Sequence, residues 1–320
     1  MTPKKQTERQ SLRFVIPGGS GQVGQVLARG LRAKGHTVTL IGRNPAEGTS
    51  SLAWDGQSLG PWAQSFENAD VIINLAGRTV DCRYTETNLQ QMMDSRVDST
   101  RVVGEAIANA TQPPRVWLQM STATIYAHRF DQGNDEATGI IGGDEPDVPA
   151  YWSRSVAIAK AREQALHEAD TPHTRKVALR TAMVMSPDKG GILDVLRGLV
   201  RKRIGGTIAG GQQYVSRIHG NDFVRAVEFI VDRETLSGSI NICAPNPLPQ
   251  KEFMAALRQA VGVKLGLPAT KWMAKIGAVF LRTDTELLLK SRRVIPGRLL
   301  ESGFQFMHPS WPEAAADLCK

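Results

Sequence analysis

The chain has 320 residues, 41% apolar and 22% charged, a balance that builds a buried core and excludes a disordered or low-complexity polymer. Lysine and arginine outnumber the acids by 39 to 31, a formal charge of +8. The cations are dispersed apart from Lys4-Lys5, Arg201-Lys202-Arg203 and Arg292-Arg293, with few aromatics among them, so a solvated basic surface is preferred to nucleic-acid binding.

In chain order, residues 1–11 read as a disordered polar tail without the apolar segment of a secretory signal. An apolar run over 13–16 predicts a strand, and VIPGGSGQVG follows. There Gly18, Gly21 and Gly24, or alternatively Gly19, Gly21 and Gly24, have the spacing of a phosphate-binding turn. Val23, Val26, Leu27 and Leu31 repeat on one face of a helix over 23–34, Gly35 stops it, and a strand is predicted over 37–41. Glycines there let the backbone approach a pyrophosphate. The free amides and dipole at the helix start attract its charge, and Ser20, Gln22 and Val23 line the same turn.

Arg43 stands 19 positions after Gly24, where an NAD-preferring protein usually has an acid for the ribose hydroxyls. A cation there pairs with a 2′-phosphate, which favours NADP(H) over NAD(H). Further strands are predicted over 71–75, 116–120 and 176–181, and helices over 89–110 and 153–168. Alternating strands and helices predict an α/β fold, a doubly wound, mostly parallel Rossmann sheet. Residues 129–149, rich in Gly and Asp, read as a long surface loop, a solvated connection rather than a cleft cover.

After Pro187 the pattern becomes irregular. A cofactor domain over 12–187 and a smaller C-terminal substrate domain over 188–320 are expected, with some later elements returning to the sheet. Cys82, Cys243 and Cys319 are odd in number and far apart, and the six histidines have no ligand spacing, so no disulfide framework and no metal are expected. The late apolar run over 276–281 is cut by Arg282, so no membrane span is expected, and a cytoplasmic location fits.

Several segments together resemble the extended short-chain dehydrogenase/reductase superfamily and its NAD-dependent epimerase/dehydratase-like proteins. They are GGSGQVG, VIINLAGRTV, DSRVDSTRVVGEAI, STATIY, LRTAMVMSPDKGGIL, GGQQYVSRIHGNDFVRAV and RVIPGRLLESGFQF. More narrowly, they resemble an epimerase-like branch with a distinctive C-terminal segment. The resemblance implies cofactor roles for Gly18, Gly21 and Gly24, for Leu75, Ala76 and Gly77 beside the ribose and pyrophosphate, and for Asp55 near the adenine. It places Thr122 where a hydroxyl orients a substrate oxygen, and Thr181 in a turn beside the nicotinamide. It makes His219 and Asp222 a structural pair and offers a homodimer by analogy.

The departures concern chemistry. Pro17 replaces a threonine usual before the first glycine, which leaves the turn intact. The superfamily's acid-base pair is Tyr-x-x-x-Lys, yet the fourth residues after Tyr84, Tyr126, Tyr151 and Tyr214 are Asn88, Phe130, Ser155 and Ile218. With Glu163 aligned to the glutamate that follows this pair, Ser155 takes the tyrosine place and Ala159 the lysine place. Lys160 cannot serve Tyr151, nine residues away on the opposite helix face. Tyr126 and His128 are candidate proton donors, with a core or cleft-wall role as the plainer reading.

Two functions compete. One is an NADP(H)-dependent epimerase or oxidoreductase on a small hydroxyl or carbonyl compound, sugar-nucleotide-like ones included, with Thr122 and Ser155 as candidate catalytic residues. The other is a catalytically weak NADP(H)-binding protein with a structural or redox-sensing role.

Overall fold

The computed structural model describes residues 10–43, 51–146, 148–270, 272–273 and 284–320. Most of the predicted tail, Lys4-Lys5 and the apolar run over 276–281 lie outside the described residues. Among those described, no helix is long and apolar enough to cross a membrane.

Seven parallel strands form the main sheet: β1 (Arg13–Pro17), β2 (Thr37–Gly42), β3 (Ser51–Ala53), β4 (Val71–Asn74), β5 (Val116–Thr122), β6 (Arg175–Thr181) and β10 (Gly238–Ile242), in the order β10-β6-β5-β4-β1-β2-β3. Parallel strands need crossovers, and α1 (Gln22–Ala33), α2 (Glu86–Ala108), α3 (Trp152–Glu168) and α5 (Gly220–Asp232) cover both faces. Phe14 and Ile16 point towards α1 and α5 with Val26, Leu27, Leu31, Phe223 and Val227. Val15, between them, points the other way with Ile72, Trp117, Val103 and Ile107. Both faces are therefore apolar, and the strands read as continuous hydrophobic runs. The strand order reverses direction between β1 and β4, which opens a crevice at their carboxyl ends.

Past Thr181 the chain makes short strands β7 (Met183–Met185), β8 (Tyr214–Val215), β9 (Arg217–His219) and β11 (Leu248–Pro249), and helices α4 (Ile192–Arg201) and α6 (Gln250–Val261). Short helices α7 (Glu286–Leu289) and α8 (Gly297–Glu301) precede the last helix, α9 (Trp311–Leu318). A separate small core joins Leu193 and Val200 to Phe253, Leu257, Trp311 and Leu318, with Phe253 and Trp311 stacked at 4.3 Å. Asp222, in the first turn of α5, clasps the far end of the chain: its carboxylate accepts from the amides of Met307 and His308, each at 2.8 Å. A buried carboxylate there is favoured by the helix dipole and by these donors.

The segment over 129–149 is not a solvated connection. Asn134 is fully buried and bridges to Val294, and Glu136 accepts from the amides of Asn241 and Arg298. Glu136 stitches the loop to the C-terminal segment while Asp135 and Glu145 hold the loop's own turns, uses that composition does not reveal.

Candidate active site

The glycine turn lies at the crevice, between β1 and α1. Gly18 has φ +77°, and a Cβ there would fall 2.4 Å from the Ala76 amide nitrogen, so the turn and the end of β4 touch only because a side chain is missing. At Gly24 a Cβ would meet the Gly19 carbonyl oxygen at 2.4 Å, which locks the helix start against the turn. At Gly21 the nearest such atom is 3.7 Å away, leaving room above the backbone. Gly21 is also the N-cap of α1 and has no capping side chain, and no acid stands in the first turn. Early helix amides, those of Gln22 and Val23 among them, have no intrahelical acceptor and suit a diphosphate.

Pro17 leaves this geometry intact, since its carbonyl still accepts the Leu75 amide at 2.8 Å. The Gln22 side chain turns instead to Ser186 (2.6 Å), pinning the loop after β7 over the start of α1. Arg43 is exposed at the end of β2, one residue past Gly42, whose Cβ position would lie 2.8 Å from Ser20 Oγ. A hydroxyl and a guanidinium thus flank the same rim. Asp55 follows β3, and its Oδ1 accepts the amides of Gln57 and Ser58 at 2.8 and 2.9 Å, bonds that lower its pKa. That carboxylate shapes its own turn.

Leu75, Ala76 and Gly77 are propped from below by cations that bond backbone carbonyls. Arg162 donates to Ala76 O at 2.8 Å and Arg96 to Arg78 O at 3.0 Å. Burial pulls the pKa of both guanidiniums down, Arg162 most. Arg162 is buried and Arg96 half-buried, and nothing in the sequence pattern marks either for this use.

Thr122 ends β5 in register with Thr181 on β6, so the two hydroxyl residues lie side by side at the carboxyl edge. Thr122 Oγ1 accepts the Thr124 amide at 3.1 Å, which leaves its own hydrogen available to donate. Thr181 is buried, and its hydroxyl bonds Leu179 O at 3.1 Å.

The two candidate proton donors next to Thr122 are committed elsewhere. Tyr126, only 2% exposed, donates to Asn241 Oδ1 at 2.9 Å and accepts from Arg180 at 3.0 Å, and burial raises its phenol pKa. Arg180 in turn forks onto Glu163, to which Ser121 also donates, so the aligned glutamate belongs to a structural network under α3. His128 Nδ1 accepts the Ser291 amide at 2.8 Å.

Ser155 sits differently. Its Oγ lies 2.6 Å from Glu286 Oε1 and 3.0 Å from Trp152 O. Glu286 meets Lys290 Nζ at 3.4 Å, and Lys290 reaches Thr124 O at 2.9 Å while Arg292 Nε donates to Thr124 Oγ1 at 3.0 Å. Glu286 and Lys290 are buried to 0% and 2% exposure. Burial raises the pKa of the acid and lowers that of the amine, the mutual attraction notwithstanding, so each is driven towards neutrality. A late segment thereby brings an acid to Ser155, with Lys290 and Arg292 close behind it.

Spacing also missed a grouping of His219, His308 and Asp317, whose ligand-type atoms lie within 4.8 Å of one another. His219 Nδ1 accepts the Asn221 amide at 3.0 Å, so its hydrogen sits on Nε2, facing Asp317 Oδ2 at 3.5 Å. The two imidazoles stack at 3.8 Å rather than converge. The trio is arranged as a clasp around the N-cap of α5.

A model of the NAD dependent epimerase/dehydratase family matches residues 14–243, and a domain of unknown function, DUF1731, matches residues 269–318. Epimerase family protein SDR39U1 of Homo sapiens is 30% identical over 310 residues, covering 96% of this chain and 98% of the human one. Epimerase family protein SA0724 of Staphylococcus aureus (strain N315) is 28% identical over 312 residues, covering 96% and 99%. The crystal structure of human SDR39U1 (isoform 2) with NADPH superposes with a TM-score of 0.83 at 27% identity, over 96% of this chain and 99% of that one. With its seven-stranded parallel sheet, its glycine turn and a match running through both regions, the chain belongs to the NAD dependent epimerase/dehydratase family.

Proposed function

We propose that this chain is an NADP(H)-dependent oxidoreductase or epimerase acting on a small hydroxyl or carbonyl compound. The observation that carries the cofactor choice is the rim of the glycine turn, where Ser20 and the exposed Arg43 stand together at the end of β2. The human relative crystallised with NADPH supports the same choice. The residues fit the group: open space above Gly21 and an uncapped helix start for the diphosphate, and a cation for a 2′-phosphate.

When bound, the nicotinamide supplies hydride exchange. The chain's residues bind and orient. Gly18 and Gly24 hold the turn against β4 and α1, Thr122 offers its hydroxyl hydrogen to the substrate oxygen, and the guanidiniums of Arg96 and Arg162 fix the backbone from Asn74 to Arg78.

The test is cofactor binding by calorimetry to the chain and to Arg43→Asp. A charge-assisted hydrogen bond is worth about 1.5–3 kcal/mol, so NADPH affinity is expected to fall at least about tenfold while NADH affinity changes little. Equal losses for both coenzymes would refute the assignment of Arg43. A second reading, a cofactor-binding protein with little catalysis, is favoured by the absence of the Tyr-x-x-x-Lys pair. Hydride exchange between cofactor-loaded protein and any member of a hydroxyl and carbonyl panel would dismiss it.

A further inference from the structure

We propose that Glu286, delivered by the C-terminal segment, stores the transferable proton of this site and passes it through the Ser155 hydroxyl, replacing the tyrosine and lysine that α3 lacks. This rests on reading the crevice as an acid-base site, and it assigns that chemistry to a part of the chain outside residues 14–243, which the family model matches.

The hydrogen-bond count carries the argument. Ser155 has one hydroxyl hydrogen but two oxygen neighbours, Trp152 O at 3.0 Å and Glu286 Oε1 at 2.6 Å. A carbonyl cannot donate. If Ser155 gives its hydrogen to Trp152, the short contact to Glu286 is a hydrogen bond only when the acid carries a proton and donates it; if Ser155 gives it to Glu286, the acid accepts as the anion, so the pair has a place for the proton on either side. Glu286 Oε2 is buried without a hydrogen-bond partner among the described residues, a costly arrangement for a charged carboxylate and a cheaper one for a neutral acid.

The surroundings favour the protonated acid by burial and tolerate the anion through two cations. Lys290 and Arg292 face it from its own segment, Tyr84 from the loop before α2 and Ser155 from α3, while Asp284 accepts the Glu286 amide and Glu145 faces Lys290. Burial outweighs the cations in setting the direction of the acid's pKa, which is upward.

In the reducing direction the substrate oxygen takes the Ser155 hydrogen as its carbon receives hydride, and Ser155 takes the proton of Glu286. The carboxylate left behind is stabilised by Lys290 and Arg292, and water restores its proton after product leaves. Oxidation runs the same transfers backwards. Ser155 is half-buried, able to meet substrate, whereas Glu286 is sealed behind it and acts only through it.

The titration that tests the proton store needs no substrate. The full chain, labelled with 13C at glutamate side chains, is titrated by NMR. Two carboxyl signals should titrate above the ordinary glutamate range, because Glu136 is also raised by burial. One of them should vanish in Glu286→Gln and move its midpoint in Ser155→Ala, which leaves Glu136 untouched. Ser155→Ala keeps the measurement possible if Glu286→Gln does not fold. A Glu286 signal that titrates in the ordinary range, or a midpoint indifferent to Ser155→Ala, overturns the proposal. A parallel NADPH titration of the native chain separates the two readings, since a native chain that binds no coenzyme indicts the crevice itself and not the proton store.

Discussion

A methyl group at position 24 would land 2.4 Å from the carbonyl oxygen of Gly19, so the start of α1 and the turn before it cannot both keep their places once it is added. Gly24→Ala is expected to destabilise the chain by about 1–3 kcal/mol, the usual cost of overpacking, and to weaken coenzyme binding by misplacing the amides after Gly21. Chemical denaturation with a coenzyme titration checks both effects. Unchanged stability would mean the turn yields without strain.

At this scale the sequence was legible where chemistry depends on neighbours along the chain. Gly18 to Gly24 and Arg43 fall within one strand-turn-helix-strand unit, and their spacing is the signal. Glu286 was not legible, because its partner Ser155 is 131 positions away and its i,i+4 relation to Lys290 reads as an ordinary exposed helix pair. Tyr126 looked available because it lies four residues from Thr122, and only the fold discloses the Asn241 and Arg180 groups that occupy its phenol.

Elements followed the same division. Strands buried on both faces give uninterrupted apolar runs, so those at 13–16, 37–41, 71–75, 116–120 and 176–181 were recognisable, and each boundary in the fold differs by two residues or fewer. Beyond Met185 every strand but β10 shrinks to two or three residues, too short for any periodicity, and long-range clasps replace it. The N-cap of α5 is one of these.

His219 caps that helix while nearly buried. Burial first, and then the neighbouring His308, bring its pKa down to about 4 from 6.5, against the opposing pull of Asp222 and Asp317. Between those values the unfolded chain binds the extra proton and the native chain does not, so native stability falls as pH drops from about 6.5 towards 4. The full effect is worth roughly 3 kcal/mol. His219→Asn, which keeps a capping acceptor, should flatten the acid flank of a plot of urea midpoint against pH. A flank equally steep in this variant would place the acid sensitivity elsewhere.

Across the whole molecule, sheet, small core and C-terminal segment are joined through Asp222, Arg217 and the loop over 129–149, with Arg217 donating to His308 O and Pro309 O. A ligand held at the crevice by elements of such a connected body stabilises all of it. NADPH at about a hundredfold excess over its Kd is expected to add roughly 2.7 kcal/mol to unfolding, seen as one transition moved upward in differential scanning calorimetry. Two transitions, only one of them moving, would mean that the cores melt separately.

The Asp222 clasp and the Glu286 contact tie late-made residues to the middle of the chain. Synthesis runs from the amino end, and all seven main strands have been made once Ile242 is added, before Glu286 exists. A ribosome that stops in between releases a polypeptide carrying the coenzyme's turn but not its acid. Such a fragment leaves Asp222, Arg217 and Ser155 without their partners, so a nonsense change late in the reading frame is expected to strip the finished sheet of the contacts that close it.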